Sequence, residues 1–404
     1  MQLKLSYKRT TFAQNFNEMQ NELQTRLNKI QATMQKENIE ACLISSNVNL
    51  FYASGMIFNG YLFFRQTGEK IFFVKRPQGL NGSTIFYIRK PEQISDILQE
   101  LRIAQPETLW MEGDEMTYSE WIRLEKIFPG SKLINSTTAL RQVRSIKTNY
   151  ELELIREGGR RQSEAFRVFP SLYKSGMTDH EFAVEMEYEI RKRGSLGIFR
   201  IFGQSMEAFM GTVLAGENAG APSCYDFALG GQGLHPSIPI GQNGAAIYPG
   251  QTVMVDICGN FNGYNVDQTR IFSLGKTTPE ASYAHQVSIE IHHTLAEMGK
   301  AGVICEDLYE KALEIVKKHR LEDCFMGCTQ QASFVGHGIG LVINELPVLC
   351  RKNRETLQAG MAIALEPKFV IDKIGAVGNE NTYIVHENEM EKVTTAPEEI
   401  ILLA

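Results

Sequence analysis

A chain of 404 residues exceeds what one hydrophobic core usually serves, so two domains of roughly 100 to 250 residues each are expected. Hydrophobic residues at 43% and charged residues at 22% are ordinary for a soluble globular protein. A net charge of -6, from 41 basic and 47 acidic residues spread without blocks, argues against nucleic acid or an anionic membrane as the main partner.

Residues 1–12 lack the uninterrupted apolar core of a signal peptide, and no run of ~18 apolar residues could span a bilayer. The expectation is a cytoplasmic protein. Its seven cysteines (Cys42, Cys224, Cys258, Cys305, Cys324, Cys328, Cys350) form an odd, scattered set that suits reduced thiols. Cys324 and Cys328 have no second pair and no nearby histidine, so they read as packed thiols rather than zinc ligands.

Met19, Leu23, Leu27, Ile30 and Met34 recur at helical spacing and predict a helix from about residue 17 to 36. Ala41 to Ser45, Tyr61 to Phe64 and Ile71 to Val74 read as short strands, followed by a helical stretch near Ile94 to Leu101. This α/β unit carries no catalytic cluster. Around Arg141 to Thr148 the text turns basic and polar, and a long helical pattern opens at Tyr150, so a boundary is placed at about residue 143. A capping box at Thr178 and Glu181 starts a second helix, and further helices run from about Pro279 to Met298 and from Glu306 to Lys318. Strands and hairpins between them predict an α+β body.

Those strands carry Asp256, Asp267, His337, Glu366 and Glu380. Acids within Thr-Val-Met-Val-Asp-Ile-Cys and Met-Ala-Ile-Ala-Leu-Glu-Pro are charges in buried-type text, and a bound cation would account for them. Asn262-Gly263 is a hairpin signal; centred there, the register sets Asp267 opposite Cys258 and makes Asp256 its diagonal neighbour, about 7–8 Å away. With a turn at Asp372 to Gly375, the midpoint of Glu366 and Glu380 is residue 373, so the glutamates face each other. His337 lies in Gly336-His337-Gly338-Ile339-Gly340, where glycine lets backbone approach a ligand closely. Singly, each acid could be an ion-paired or surface strand residue. Jointly they read as a two-metal site, with two divalent ions offsetting four carboxylates. Ligands of this kind suit manganese, cobalt, iron or zinc, and two ions ~3.5–4 Å apart would hold a bridging hydroxide for hydrolysis.

Val255-Asp256, the run from Asn262 to Arg270, Gly336 to Leu341, Leu365-Glu366-Pro367 and Glu380-Asn381-Thr382 resemble metallopeptidase family M24, in its Xaa-Pro aminopeptidase and Xaa-Pro dipeptidase (prolidase) branch. Arg26-Leu27, Ile39 to Ile44 and Asn49 to Tyr52 resemble the creatinase/prolidase N-terminal domain. The resemblance implies an α/β N-terminal domain over 1–143, an α+β pita-bread catalytic domain over 144–404, two divalent ions with manganese foremost, a homodimer, and cleavage of the bond before proline in peptides. It implies metal ligation by Asp256, Asp267, His337, Glu366 and Glu380, with Glu366 also the general base and His235 passing a proton to the leaving nitrogen.

Where relatives carry a histidine seven residues after the metal ligand, this chain has Asn344, which can donate a hydrogen bond to a substrate oxygen but cannot relay a proton. The arginine expected two residues before the last glutamate is Gly378, and the aspartate after it is Asn381. Arg200 or Arg351 would have to supply a clamp for a dipeptide carboxylate. Hydrolysis of another C–N bond, or a metal-binding protein without activity, are the alternatives on the same fold.

Overall fold

The computed structural model describes residues 12–403, with side chains from residue 18; residues 1–11, read above for a leader segment, lie outside it. None of its helices is long and apolar enough to cross a membrane. The backbone divides into two compact units between Val143 and Arg144.

The first unit contains α1 (Phe12–Lys36), β1 (Ala41–Ile44), α2 (Asn47–Ser54), β2 (Asn59–Arg65), β3 (Ile71–Arg76), β4 (Ile85–Tyr87), α3 (Gln93–Glu100), β5 (Thr108–Met111), α4 (Tyr118–Ile127) and β6 (Lys132–Asn135), and α5 (Thr137–Ser145) follows. Its six strands make a mixed sheet in the order β4-β3-β2-β1-β5-β6. Leu23, Leu27, Ile30 and Met34 are buried, as their helical spacing on α1 requires. Short elements such as α2, β5 and α4 show too few repeats for periodicity to reveal them; capping by Ser46 and Thr117 marks both helix starts.

The second unit comprises α6 (Asn149–Val168), α7 (Asp179–Lys192), β7 (Gly211–Ala215), β8 (Thr252–Asn260), β9 (Asn265–Leu274), α8 (Pro279–Met298), α9 (Cys305–His319), β10 (Phe334–Gly338), β11 (Glu345–Cys350), β12 (Ala362–Leu365), β13 (Lys368–Ile371), β14 (Gly375–Gly378), β15 (Glu380–Val385), β16 (Met390–Lys392) and β17 (Ile401–Leu403). Nine strands form one sheet, with the path β11-β10-β12-β15-β9-β8-β7, β16 beside β15 and β17 beside β9. Capping boxes at Thr148/Glu151 and Thr178/Glu181 fix the starts of α6 and α7. Tyr383, Val385, Ile363 and Leu365 enter a core with Ala284, Ile291, Leu308 and Ala312 of α8 and α9.

Residues of the opposite parity on those strands present the acids. Cys258 pairs with Asp267, Asp256 with Thr269, and Thr269 with Glu380. Thr382 pairs with Ala364 and Ala364 with His337. Directly opposed residues share a face, so Asp256, Asp267, Glu380 and His337 project from one side of the sheet. The β8–β9 register is the one expected from Asn262-Gly263, although only Gly263 takes positive φ (97°). Asn262 instead accepts the Tyr264 N–H at 3.2 Å and donates to the Leu154 carbonyl at 2.8 Å, which holds the turn against α6.

The second hairpin is also in its expected register. Leu365 pairs with Asn381, and Lys368 pairs with Gly378. Both pairs are symmetric about Lys373, so one register runs through β12–β15 and β13–β14 and places Glu366 opposite Glu380. Pro367, which offers no N–H to a ladder, separates the two pieces.

Candidate metal centre

Two overlapping groups of side chains have the spacing of cation ligands: Asp267, His337 and Glu380 in one, Asp256, Glu366 and Glu380 in the other, each with ligand atoms within 4.8 Å of one another. All five residues named from the sequence therefore come together, and Glu380 belongs to both groups. His235 belongs to neither. Cys324 and Cys328 join no such group among the described residues, and all seven cysteines are free thiols.

His337 is turned so that one ring nitrogen serves the site. Its Nδ1 lies 3.0 Å from the Gly338 carbonyl and donates to it, which leaves Nε2 directed at the acids, 3.4 Å from Glu366 Oε1. Backbone bonds hold the other ligands. Thr382 Oγ1 accepts the Asp267 N–H at 2.8 Å and donates to the Asp267 carbonyl at 3.0 Å. Thr269 Oγ1 donates to Glu380 Oε2 at 2.8 Å. Beneath them the buried Arg270 guanidinium donates to the carbonyls of Glu380 (2.9 Å), Thr269 (2.7 Å) and Ala396 (2.7 Å) and to Asn381 Oδ1 (2.8 Å). Asn381 is thus the one side chain among these four acceptors of the buried arginine. Burial pushes the Arg270 guanidinium down to about 10.

A residue absent from the sequence reading stands among the acids. The Lys368 side chain is fully buried, and its Nζ lies 2.8 Å from Asp256 Oδ2, 2.8 Å from Glu366 Oε2 and 3.0 Å from Glu380 Oε2. An ammonium has three N–H donors, and each here meets a separate carboxylate. The available signal was a lysine directly after Glu366-Pro367, opening the apolar run Phe369-Val370-Ile371.

Charge is distributed unevenly over the set. Burial raises Asp267 to about 7, with the Asp256 charge adding to it, and burial with the Asp267 charge raises Glu380 well above the carboxylate range. For Glu366 burial acts in the same direction, but the Lys368 ammonium and His337 outweigh it and hold the carboxyl near about 2. Burial also opposes charge on Lys368, and the three acids more than offset it. The Cys258 thiol behind Asp267 is pushed up by burial and by that carboxylate, so it is a packed thiol.

By ligand spacing both groups could hold an ion, yet they differ in occupancy by protein. Two carboxylates and an imidazole nitrogen at Asp267, Glu380 and His337 fit a divalent cation. The Asp256, Glu366 and Glu380 oxygens are already joined by an ammonium at hydrogen-bond distances of 2.8 to 3.0 Å, well beyond the ~2.0–2.2 Å of a zinc-type metal–oxygen bond. That half does not fit a second ion while Lys368 is there.

The remaining candidates stand apart from the acids in role. Asn344 Oδ1 accepts the Phe202 N–H and its Nδ2 donates to the Phe202 carbonyl, both at 2.8 Å, so the amide holds the backbone of that loop. His235 is exposed at a turn, with Ser237 N–H donating to its Nδ1 at 3.2 Å and Ser237 Oγ at 2.8 Å. Arg351 is exposed and pairs with Glu310 at 3.2 Å. Arg200 is half-buried, and burial lowers its guanidinium. Glu345, beside Asn344, is buried between Arg144 (3.3 Å) and Lys147 (3.1 Å) and pairs with Gly338 next to His337.

An oxygen-rich, histidine-containing cation site on a predominantly antiparallel sheet backed by helices defines a metallohydrolase-type protein. The chain belongs to metallopeptidase family M24, whose model matches residues 153–387, and a creatinase/prolidase N-terminal domain matches residues 26–146. It is similar to the Xaa-Pro dipeptidase of Pyrococcus furiosus, 23% identical over 385 residues that cover 94% of this chain and all of that protein. The Xaa-Pro dipeptidase of Lactobacillus helveticus is 22% identical over 393 residues, covering 93% of this chain and 98% of that one. Solved structures share the pita-bread fold: the prolidase from Pyrococcus horikoshii OT3 has a TM-score of 0.75 at 21% identity, over 93% of this chain and all of that one. The X-Pro aminopeptidase from Thermotoga maritima MSB8 also has a TM-score of 0.75, at 22% identity, over 91% of this chain and 97% of that one.

Proposed function

We propose that this chain is a divalent-metal-dependent hydrolase of the Xaa-Pro bond at the N-terminus of peptides, with Glu366 as general base. The observation that carries the reading is the group of buried Asp267 and Glu380 with partly buried His337, and Glu366 Oε1 against the His337 ring at 3.4 Å. It is supported by full-length similarity to proteins named Xaa-Pro dipeptidase. A divalent ion, manganese first among those that suit this ligand set, supplies Lewis acidity toward water and a carbonyl oxygen.

The chain's own groups then have separate tasks. Against burial, Lys368 and His337 hold the Glu366 carboxyl below the usual carboxylate range, which favours the acceptor form that a base needs. Lys368 holds one Glu366 oxygen and leaves the other facing His337. His235 is proposed as proton carrier to the leaving nitrogen: its Nδ1 accepts the Ser237 N–H, which puts the ring proton on Nε2. Asn344 is proposed to position the loop at Phe202 rather than to touch the reacting atoms.

With Gly378 in place of an arginine and Arg351 engaged by Glu310, Arg200, half-buried and joined through its carbonyl to the Ile343 N–H beside Asn344, is the remaining candidate clamp for a dipeptide's carboxylate. Xaa-Pro dipeptides and longer Xaa-Pro peptides are therefore both candidate substrates. The ammonium among the acids favours one second reading, hydrolysis of another C–N bond on the same fold. Assaying manganese-loaded protein against Ala-Pro, Ala-Pro-Ala and longer Xaa-Pro peptides tests the Xaa-Pro reading: cleavage before proline is expected. No cleavage of any of them by the metal-loaded protein would end the Xaa-Pro reading.

A further inference from the structure

We propose that the Lys368 ammonium is a resident cation standing in place of one of the two divalent ions that the family's acid set implies, so that the chain binds at most one such ion, among Asp267, His337 and Glu380. The inference rests on the acid set being the cation site of the function proposed above, and not on the peptide specificity.

Three features carry it. Lys368 is fully buried, yet each of its donors finds a different carboxylate, one on β8, one at the end of β12 and one on β15. A lysine drawn inward by a single acid would leave donors unpaired, and buried unpaired donors are destabilising. Position follows from the fold as well: Lys368 opens β13 two residues beyond Glu366, where the shared register aims it back at Glu380. Finally, two divalent ions would bring four positive charges to four carboxylates, and the buried ammonium would then be a fifth. The cage is then one charge short of neutral with one ion and one charge over with two, but only a second ion would have to sit against the buried ammonium, whose three donors already hold the same carboxylates.

Gly378 agrees with this assignment. It lies opposite Lys368 at φ 125°, and a Cβ there would stand 2.5 Å from the Pro367 carbonyl oxygen and 2.9 Å from the Lys368 Cα. The absence of a side chain at Gly378 is what lets the backbone carrying Lys368 lie close against the returning strand.

The test is a manganese count by equilibrium dialysis and elemental analysis on full-length protein, wild type beside Lys368→Ala and Lys368→Met. The expected result is one ion per chain in the wild type and about one more in either variant. Two ions in the wild type, a measurement that needs no variant, would overturn the proposal. So would a folded variant that gains none. A wild type with no ion and variants with one would support the lysine as resident cation while ending the metal-dependent reading of the preceding section, so the two failures are distinguishable. Melting curves with and without manganese give a second readout: the ion should raise Tm more in the variants than in the wild type, and an equal rise would count against the proposal.

Discussion

Lys368 and Gly378 face each other across the β13–β14 hairpin, and the missing side chain of one makes room for the backbone that carries the other. A lysine whose ammonium joins three acids needs its main chain close against the returning strand, and only glycine readily adopts φ 125° there. Gly378→Ala should therefore destabilise the fold by about 2–4 kcal/mol, from backbone strain and overpacking together. Urea denaturation measures it; a loss near that of an exposed glycine, below about 1 kcal/mol, would mean that the strand shifts freely.

Glu366 should dominate catalysis. Glu366→Gln keeps size and one acceptor but removes the charge, and turnover of Ala-Pro-Ala should fall by about 10²–10⁴-fold. Activity within a few-fold of wild type would remove Glu366 from the role of base.

Asp267 contributes to the group that keeps a metal position, and it makes no bond to Lys368 Nζ. Asp267→Asn is expected to abolish manganese binding by dialysis while the protein stays folded. Retention of one tightly bound ion would place the metal elsewhere.

Asn344→Ala removes both bonds to the Phe202 backbone. Stability should drop by about 1–3 kcal/mol and KM should rise more than kcat falls. A fall confined to kcat would instead put the amide on the reacting atoms.

Acid should unfold the protein partly through His292. Its Nε2 donates to the Asn379 carbonyl at 2.8 Å, behind Glu380, and burial lowers the ring from 6.5 to about 4. Between those values the unfolded chain binds the proton and the folded one does not, so stability falls as pH drops from 6.5 toward about 4. The effect is on the order of 3 kcal/mol when fully expressed. His292→Gln should flatten the pH dependence of Tm in that window; an unchanged slope would assign it to other groups.

Much of this geometry is legible in the sequence because a hairpin is an arithmetic object. Once a turn is located, every opposition follows from adding residue numbers, and Asp267 against Cys258 needs nothing more than Asn262-Gly263. His337 is visible through the glycines around it. Lys368 is not legible in that way, since its burial is created by acids on β8, at the end of β12 and on β15, and a lone lysine at a strand start reads as surface. The bonds of Asn344 are not legible for a related reason: its partner, Phe202, is remote in sequence and sits in a segment with no periodicity.

The common register of β12–β15 and β13–β14 makes the turn at Asp372 to Ile374 a spacer gauge for chemistry at the far end of the hairpin. One residue inserted there, if absorbed by slipping rather than by bulging, would move Glu380 off the face it shares with Asp256 and Asp267 and break the Lys368 cluster, with no catalytic side chain replaced. Turn length, rather than the identity of any acid, is thus the variable through which drift in this chain could silence the centre most abruptly.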